Sequence, residues 1–133
     1  MKAMIQKGSR YLFGSTFLIF GLNGFFGFMP LPPVSPEAGA LLGAFAKTGY
    51  FFPMIKLIEI IVGLLLVSNC FVPLALALIA PLLIGITSIH LFLNPAGLPL
   101  MIFLHGLHLL LVISYKNSYL SVLRFKVAPF EED

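Results

Sequence analysis

Four long apolar stretches, separated by short polar or proline-containing segments, dominate the hydropathy pattern of the chain. A helix needs about 20 predominantly apolar residues to cross a bilayer. The pattern therefore predicts transmembrane helices at about 11–29, 51–68, 71–93 and 98–115.

A shorter apolar run, 36–48, lies between the first two predicted spans, after a proline-rich segment. It opens with Ser35, Pro36 and Glu37, a helix-start pattern of N-cap, first helical position and first-turn acid. At about 1.5 Å per residue this helix is too short to cross a bilayer. We therefore expect an all-α integral membrane four-helix bundle, with a short interfacial or re-entrant helix between spans 1 and 2.

Composition supports the membrane class. The chain has 133 residues, of which 59% are hydrophobic and 10% charged, and its mean hydropathy is +1.05. Soluble domains carry about 25% charged residues. The first apolar run exceeds the usual apolar region of a signal peptide, and no A-x-A site follows it. We therefore expect residues 1–133 to form a single transmembrane domain that retains its first span.

The basic residues indicate the topology. Most of them lie near the termini: Lys2, Lys7, Arg10, Lys116, Arg124 and Lys126. The positive-inside rule then predicts that both termini, including the tail 116–133, are cytoplasmic, in a bacterial inner membrane. No basic patch alternates with aromatic residues, so nucleic acid is not an expected partner. The single cysteine, Cys70, excludes an intramolecular disulfide.

Two charges interrupt the second apolar stretch. Lys56 and Glu59 share a helical face because they are three residues apart. A charge in a membrane span costs at least about 2.5 kcal/mol. We therefore expect the two side chains to pair and to face the other helices.

Further polar side chains fall in the outer halves of the predicted spans. At the usual helical rise, most of them lie about 8 to 15 Å from the outer ends. This depth pattern predicts an outward-facing ligand pocket formed by Lys56, Glu59, Asn23, His105, His108 and His90. The alternative interpretation is a self-satisfied polar network that fixes helix register.

Metal, haem and hydrolytic chemistry have little support in the pattern. The three histidines, His90, His105 and His108, lack a firm ligand spacing, so no metal site is predicted and haem is disfavoured. No nucleophile elbow surrounds Ser88. No catalytic residue is assigned.

Three segments resemble the DoxX family of small four-helix bacterial membrane proteins. They are GLNGFFGFMPLPP at 21–33, TGYFFPMIKLIEIIVGLLLV at 48–67 and HLFLNPAGLP at 90–99. The resemblance implies a four-helix bundle in the inner membrane. It also implies association with redox enzymes, since the family's name comes from a subunit associated with thiosulfate:quinone oxidoreductase. The chain differs from many relatives, which carry acidic residues at the positions of Asn94 and His108.

These observations together predict a DoxX-like subunit of a membrane redox system that binds a quinone head group or a small polar ligand. Any oxidoreductase chemistry needs a partner, because the chain has no soluble catalytic domain. Expected partners are membrane lipid, quinone and a larger membrane complex or a homo-oligomer. Two alternatives remain open: an assembly, chaperone or accessory subunit of a larger complex, and a small-solute carrier.

Overall fold

A computed structural model describes residues 1–120 and 122–125 of the chain. Over these residues the fold is all-helical, without a strand, which confirms the predicted all-α class for the described part. The α-helices are α1 (Lys2–Phe26), α2 (Pro36–Lys47), α3 (Phe51–Ser68), α4 (Val72–Phe92) and α5 (Leu98–Ser114). Single-turn 3-10 helices occupy Pro95–Gly97 and Lys116–Tyr119. Most of the predicted tail beyond residue 120 lies outside the described residues.

In the described part of the chain, three helical segments are long and apolar enough to cross a membrane: Phe51–Ser68, Val72–Phe92 and Pro95–Ser114. The chain is therefore a membrane protein. The last segment includes the 3-10 turn that leads directly into α5.

The first helix is not among these three. It begins at Lys2, and its first turns include basic residues. It ends at Phe26, three residues before the predicted end, because Gly27 adopts the left-handed conformation with φ 59°. From residue 11 to residue 26 the helix rises about 24 Å, whereas the shortest membrane spans, of about 17 residues, rise about 26 Å. The first predicted span, and with it the four-span bundle, stays a prediction.

The helices alternate in direction. α1 packs against α3 and α5, and α4 packs against the same two helices. Lys2, Leu110 and Ser114 line one shallow groove, so α1 begins where α5 ends. We call this the terminal end. The opposite end, where α1 ends and α5 begins, is called the loop end.

The short helix α2 is fixed at the loop end by two contacts. The Ser35 hydroxyl accepts a hydrogen bond from the Ala38 backbone N–H at 3.1 Å and donates to the Leu93 carbonyl at 2.5 Å. The Phe45 ring stacks on Phe51 with centroids 4.2 Å apart. The N-cap of α2 is therefore joined to the end of α4, and its last turn to the start of α3.

An apolar core lies between α1, α3, α4 and α5. Its fully buried members include Phe13, Leu66, Leu76 and Leu111. The outer faces are also apolar, with Leu57, Ile61, Leu64, Leu74, Leu78, Ile84, Ile102 and Leu109 exposed. Exposed apolar faces on long helices are what a lipid environment favours.

Candidate functional site

Glycines bring α1 and α3 into close contact. A Cβ atom on Gly63 of α3 would lie 2.7 Å from the backbone nitrogen of Leu18, and one on Gly21 would lie 2.9 Å from that of Ile60. Any side chain at these positions would push the backbone of the other helix away. Glycine avoids this, and small residues in general let membrane helices approach closely. Nearer the terminal end, a Cβ atom on Gly14 would lie 2.8 Å from the Leu66 Cβ and 3.2 Å from the Val67 backbone nitrogen, so the contact extends along α1 from Gly14 to Gly21.

The charged pair of α3 lies beside this contact, toward the loop end. The Lys56 ammonium donates to Glu59 Oε2 at 2.8 Å. Glu59 is only 2% exposed, whereas the Lys56 side chain retains 24% of its accessible surface. Glu59 lies on the same helical face as the buried residues Val62 and Leu66, and so faces the core.

The Lys56 stem crosses α1 at a glycine. A Cβ atom on Gly24 would lie 2.4 Å from Lys56 Cγ and 2.5 Å from Cδ. The methylene groups of the lysine therefore pack against α1, while its ammonium remains accessible to a ligand. This is the usual way in which lysine combines an apolar stem with a charged head.

Asn23 precedes Gly24 on α1 and is 6% exposed. Its amide nitrogen donates to the Met29 carbonyl at 3.0 Å, and its amide oxygen accepts from the Met29 N–H at 2.6 Å. Both ends of the amide thus hold the turn that follows α1. The predicted ligand role of Asn23 competes with this local role, although the residue does lie next to the Lys56 crossing.

His105 of α5 contacts α4. Its Nε2 lies 2.8 Å from the Thr87 hydroxyl, and that hydroxyl donates its only proton to the Leu83 carbonyl at 2.7 Å. The hydroxyl must therefore accept from His105, which places the imidazole proton on Nε2.

His108 lies one turn further along α5, toward the terminal end. Its Nε2 lies 3.0 Å from the Leu76 carbonyl and must donate to it, since a carbonyl only accepts. The Phe13 ring is 5.8 Å from the imidazole between centroids. Leu76 is next to Ala77, whose carbonyl loses its helical partner at Pro81. His108 thus connects α5 to α4 and α1, one turn before Pro81 of α4.

His90 belongs to the turn at the end of α4. Its Nδ1 lies 3.2 Å from the Asn94 carbonyl. A Cβ atom on Gly97 would lie 2.1 Å from the same nitrogen, so only glycine leaves room for the ring. His90 therefore holds the connection between α4 and α5.

The six predicted site residues do not all meet in one place. Lys56, Glu59 and Asn23 lie together at the loop-end half of α1 and α3. His108 contacts Phe13, which lies about 15 Å along the axis of α1 from Asn23. His108 is therefore not level with the charged pair, although the depths counted from the sequence place the two at a similar level. Within residues 1–120 and 122–125, no three His, Cys, Asp or Glu side chains gather closely enough to hold a metal ion.

Sequence reasoning missed Arg10. The sequence pattern places it in a cytoplasmic flank, yet its side chain is buried, with 4% exposed. Its guanidinium donates to the Leu66 carbonyl and, at 3.2 Å, to the Val67 carbonyl. These carbonyls are at the C-terminal end of α3, where the helix dipole favours a cation. The signal in the sequence was spacing, because Arg10 is one turn before Gly14 on the face that meets α3.

Searches against models of protein families, curated proteins and solved structures found no match for this chain. The function is therefore argued from the chain's own geometry.

Proposed function

We propose that the chain is an integral membrane subunit of a membrane redox system, which receives a quinone head group or a small polar ligand at Lys56 and Glu59. In this proposal α1 is a fourth span and both termini are cytoplasmic in a bacterial inner membrane. The observation that carries the proposal is the charged pair itself, with its carboxylate buried and its ammonium partly exposed.

The pair has the chemistry to hold a polar ligand. A lysine ammonium has three donors, and Glu59 accepts one of them at 2.8 Å. The remaining donors are able to bind a quinone carbonyl or another acceptor that approaches beside Gly24. Glu59 fixes the direction of the ammonium, so less conformational entropy is lost when the ligand binds.

The core argues for binding rather than transport. Phe13, Val62 and Leu66 are completely buried at the terminal-end side of the pair. A polar solute that passed beyond Lys56 would have to displace this apolar layer. The carrier alternative is therefore less consistent with the geometry.

The resemblance of 48–67 and 90–99 to DoxX segments is the reason for choosing quinone among polar ligands. It rests on sequence likeness alone. A quinone is therefore the first ligand to test.

Thermal unfolding of the purified chain in mild detergent, with and without decylubiquinone, tests the proposal. We expect the quinone to raise the Tm of the wild type. The double variant Lys56→Met/Glu59→Gln removes both charges together and should weaken quinone binding at least about tenfold, as the loss of a hydrogen bond to a charged group implies.

Lys47→Met is the matched control, because Lys47 is an exposed lysine in the last turn of α2. It should retain the full quinone response. A wild type that shows no response to the quinone, or an unchanged response in the double variant, would refute the proposal.

A second candidate, an accessory or assembly subunit, is favoured by one surface. Phe25, Phe26 and Phe28 at the end of α1 are 51%, 73% and 59% exposed, an aromatic patch near the loop end. This candidate predicts that Phe26→Ser, and not the double charge variant, changes the size of the native complex on blue native electrophoresis of solubilised membranes.

A further inference from the structure

A shallow groove of about 390 Å³ lies at the terminal end, where α5 passes into the 3-10 turn Lys116–Tyr119. It is lined by Val112, Ile113, Lys116, Tyr119, Leu120 and Leu123. Among the lining residues that the structure describes, Lys116 is the charged one. The groove lies at the opposite end of the helices from Lys56 and Glu59, so it is independent of the proposed ligand site.

The shape of the groove is fixed by contacts beneath it. The Tyr119 hydroxyl donates to the Pro73 carbonyl at 2.8 Å, which joins the 3-10 turn to the first turn of α4. Partial burial raises the pKa of the Tyr119 phenol, so the hydroxyl stays protonated and able to donate at neutral pH. The turn is thereby held back against the helices.

The polarity of the groove changes along the direction of α5. Val112 and Ile113 belong to the last turn of the candidate span Pro95–Ser114, at the depth of lipid tails. Lys116 follows the span by two residues, at the level where head groups begin. Arg124 is exposed and comes directly after the lining residue Leu123.

A second basic side chain lines a groove at the same end. Across α5, a second shallow groove is lined by Lys2 together with Ile5 and Leu110. Basic residues beside an anionic membrane surface each gain about a fivefold preference for it. The occupant that matches this charge is anionic, and the apolar lining below Lys116 requires that it also has a hydrocarbon part.

We propose that this groove is a binding site for an anionic phospholipid, with the phosphate at Lys116 and an acyl chain along Val112, Ile113 and Leu120. The order of chemistry in the groove, cation at the surface and apolar side chains below, is the order of chemistry in the lipid. The site selects the charge of the head group and accepts any acyl chain that fits the groove.

Native mass spectrometry of the full chain in mild detergent tests this proposal. The protein is mixed with phosphatidylglycerol and phosphatidylcholine that carry the same acyl chains. We expect the wild type to retain phosphatidylglycerol about fivefold more than phosphatidylcholine. Lys116→Gln should lose that preference, and Lys116→Arg should keep it.

Two further variants separate the groove from general charge and from misfolding. Lys47→Gln removes a lysine at the loop end and should keep the preference for phosphatidylglycerol. Leu120→Trp fills the groove and leaves Lys116 in place, so it should reduce retention of both lipids while the protein stays monodisperse on gel filtration.

Several results would overturn the proposal. Equal retention of the two lipids by the wild type would do so, as would an equal loss in Lys47→Gln and Lys116→Gln. If Leu120→Trp leaves lipid retention unchanged but converts a dimer to a monomer, the groove holds a second copy of this chain instead.

Discussion

The contact between α1 and α3 and the contact between α4 and α5 use different means to join helices of similar length. In the first, glycines bring the two backbones together, and a charged pair lies at its loop-end side. In the second, a side-chain hydrogen bond between His105 and Thr87 spans the gap. Close packing leaves no room to adjust, whereas a hydrogen bond between side chains tolerates small shifts. Substitutions should therefore cost more at the first contact.

The largest effect is expected when the charged pair is broken from one side. Lys56→Met leaves the Glu59 carboxylate buried without its partner. Removal of one member of a buried pair costs about 3–5 kcal/mol, and the partial exposure of Lys56 places this variant near the lower limit. Equilibrium unfolding in mixed micelles measures the loss. The double variant Lys56→Met/Glu59→Gln should recover most of it, and no recovery would show that the lysine stem, rather than the charge, stabilises the contact.

The next effect concerns the glycine contact itself. A methyl group at Gly63 would meet the Leu18 backbone, with its Cβ 2.8 Å from Cα. Gly63→Ala should therefore reduce the free energy of unfolding by about 1–3 kcal/mol, as overpacking does.

Gly106 of α5 is the matched control for Gly63, since nothing lies within 4 Å of a Cβ built on it. Gly106→Ala should be neutral or stabilise by up to about 1 kcal/mol through helix propensity. Similar losses in the two variants would contradict the close contact between α1 and α3.

A smaller effect is expected between α4 and α5. Thr87→Val keeps the shape of the side chain and removes the acceptor for His105. It should cost about 1 kcal/mol, the typical net value of one hydrogen bond. Ser88→Ala is the control, because the Ser88 hydroxyl donates to the Ile84 carbonyl of its own helix. If both variants lose equal stability, the bond to His105 contributes nothing measurable.

The smallest effect is expected at the terminal end. Tyr119→Phe removes the hydrogen bond to Pro73 and should cost about 0.5–1 kcal/mol at neutral pH. Because burial raises the pKa of Tyr119 in the folded chain, its contribution is present at neutral pH and is lost as the pH rises through that raised value. Wild type and Tyr119→Phe should therefore converge in Tm at strongly alkaline pH. Tyr115→Phe, which removes a bond of 3.4 Å to Asn69, should change less.

Much of the local structure was predictable. The predicted range 51–68 coincides with α3, and Ser35 and Pro36 begin α2 as their helix-start pattern indicates. Hydrophobic periodicity, proline and N-cap residues act on neighbours a few residues away, so their effects can be recognised in a single sequence. The pairing of Lys56 with Glu59 was predictable for the same reason, because their spacing of three fixes a shared face.

Which polar groups share one site was harder to predict from the sequence. Asn23 and His90 each use a backbone carbonyl of the turn that follows their own helix. Arg10 is buried on the carbonyls of α3, although its position in the sequence suggests a solvated flank. Depth counted from helix ends ignores where side chains find partners, and helix packing supplies those partners.

The sequence by itself determined that this is a membrane protein, because apolar runs of this length are typical of membrane spans. It also determined that Lys56 and Glu59 pair, because their spacing of three places them on one helical face. It also determined where most helices begin and end. The tertiary structure decided which helices touch, and thereby placed Lys56 on Gly24, Arg10 on the end of α3 and His108 against Phe13. The physical reason is range: helix formation depends on neighbours along the chain, whereas the partner of a buried polar group depends on which backbones come close enough to offer one.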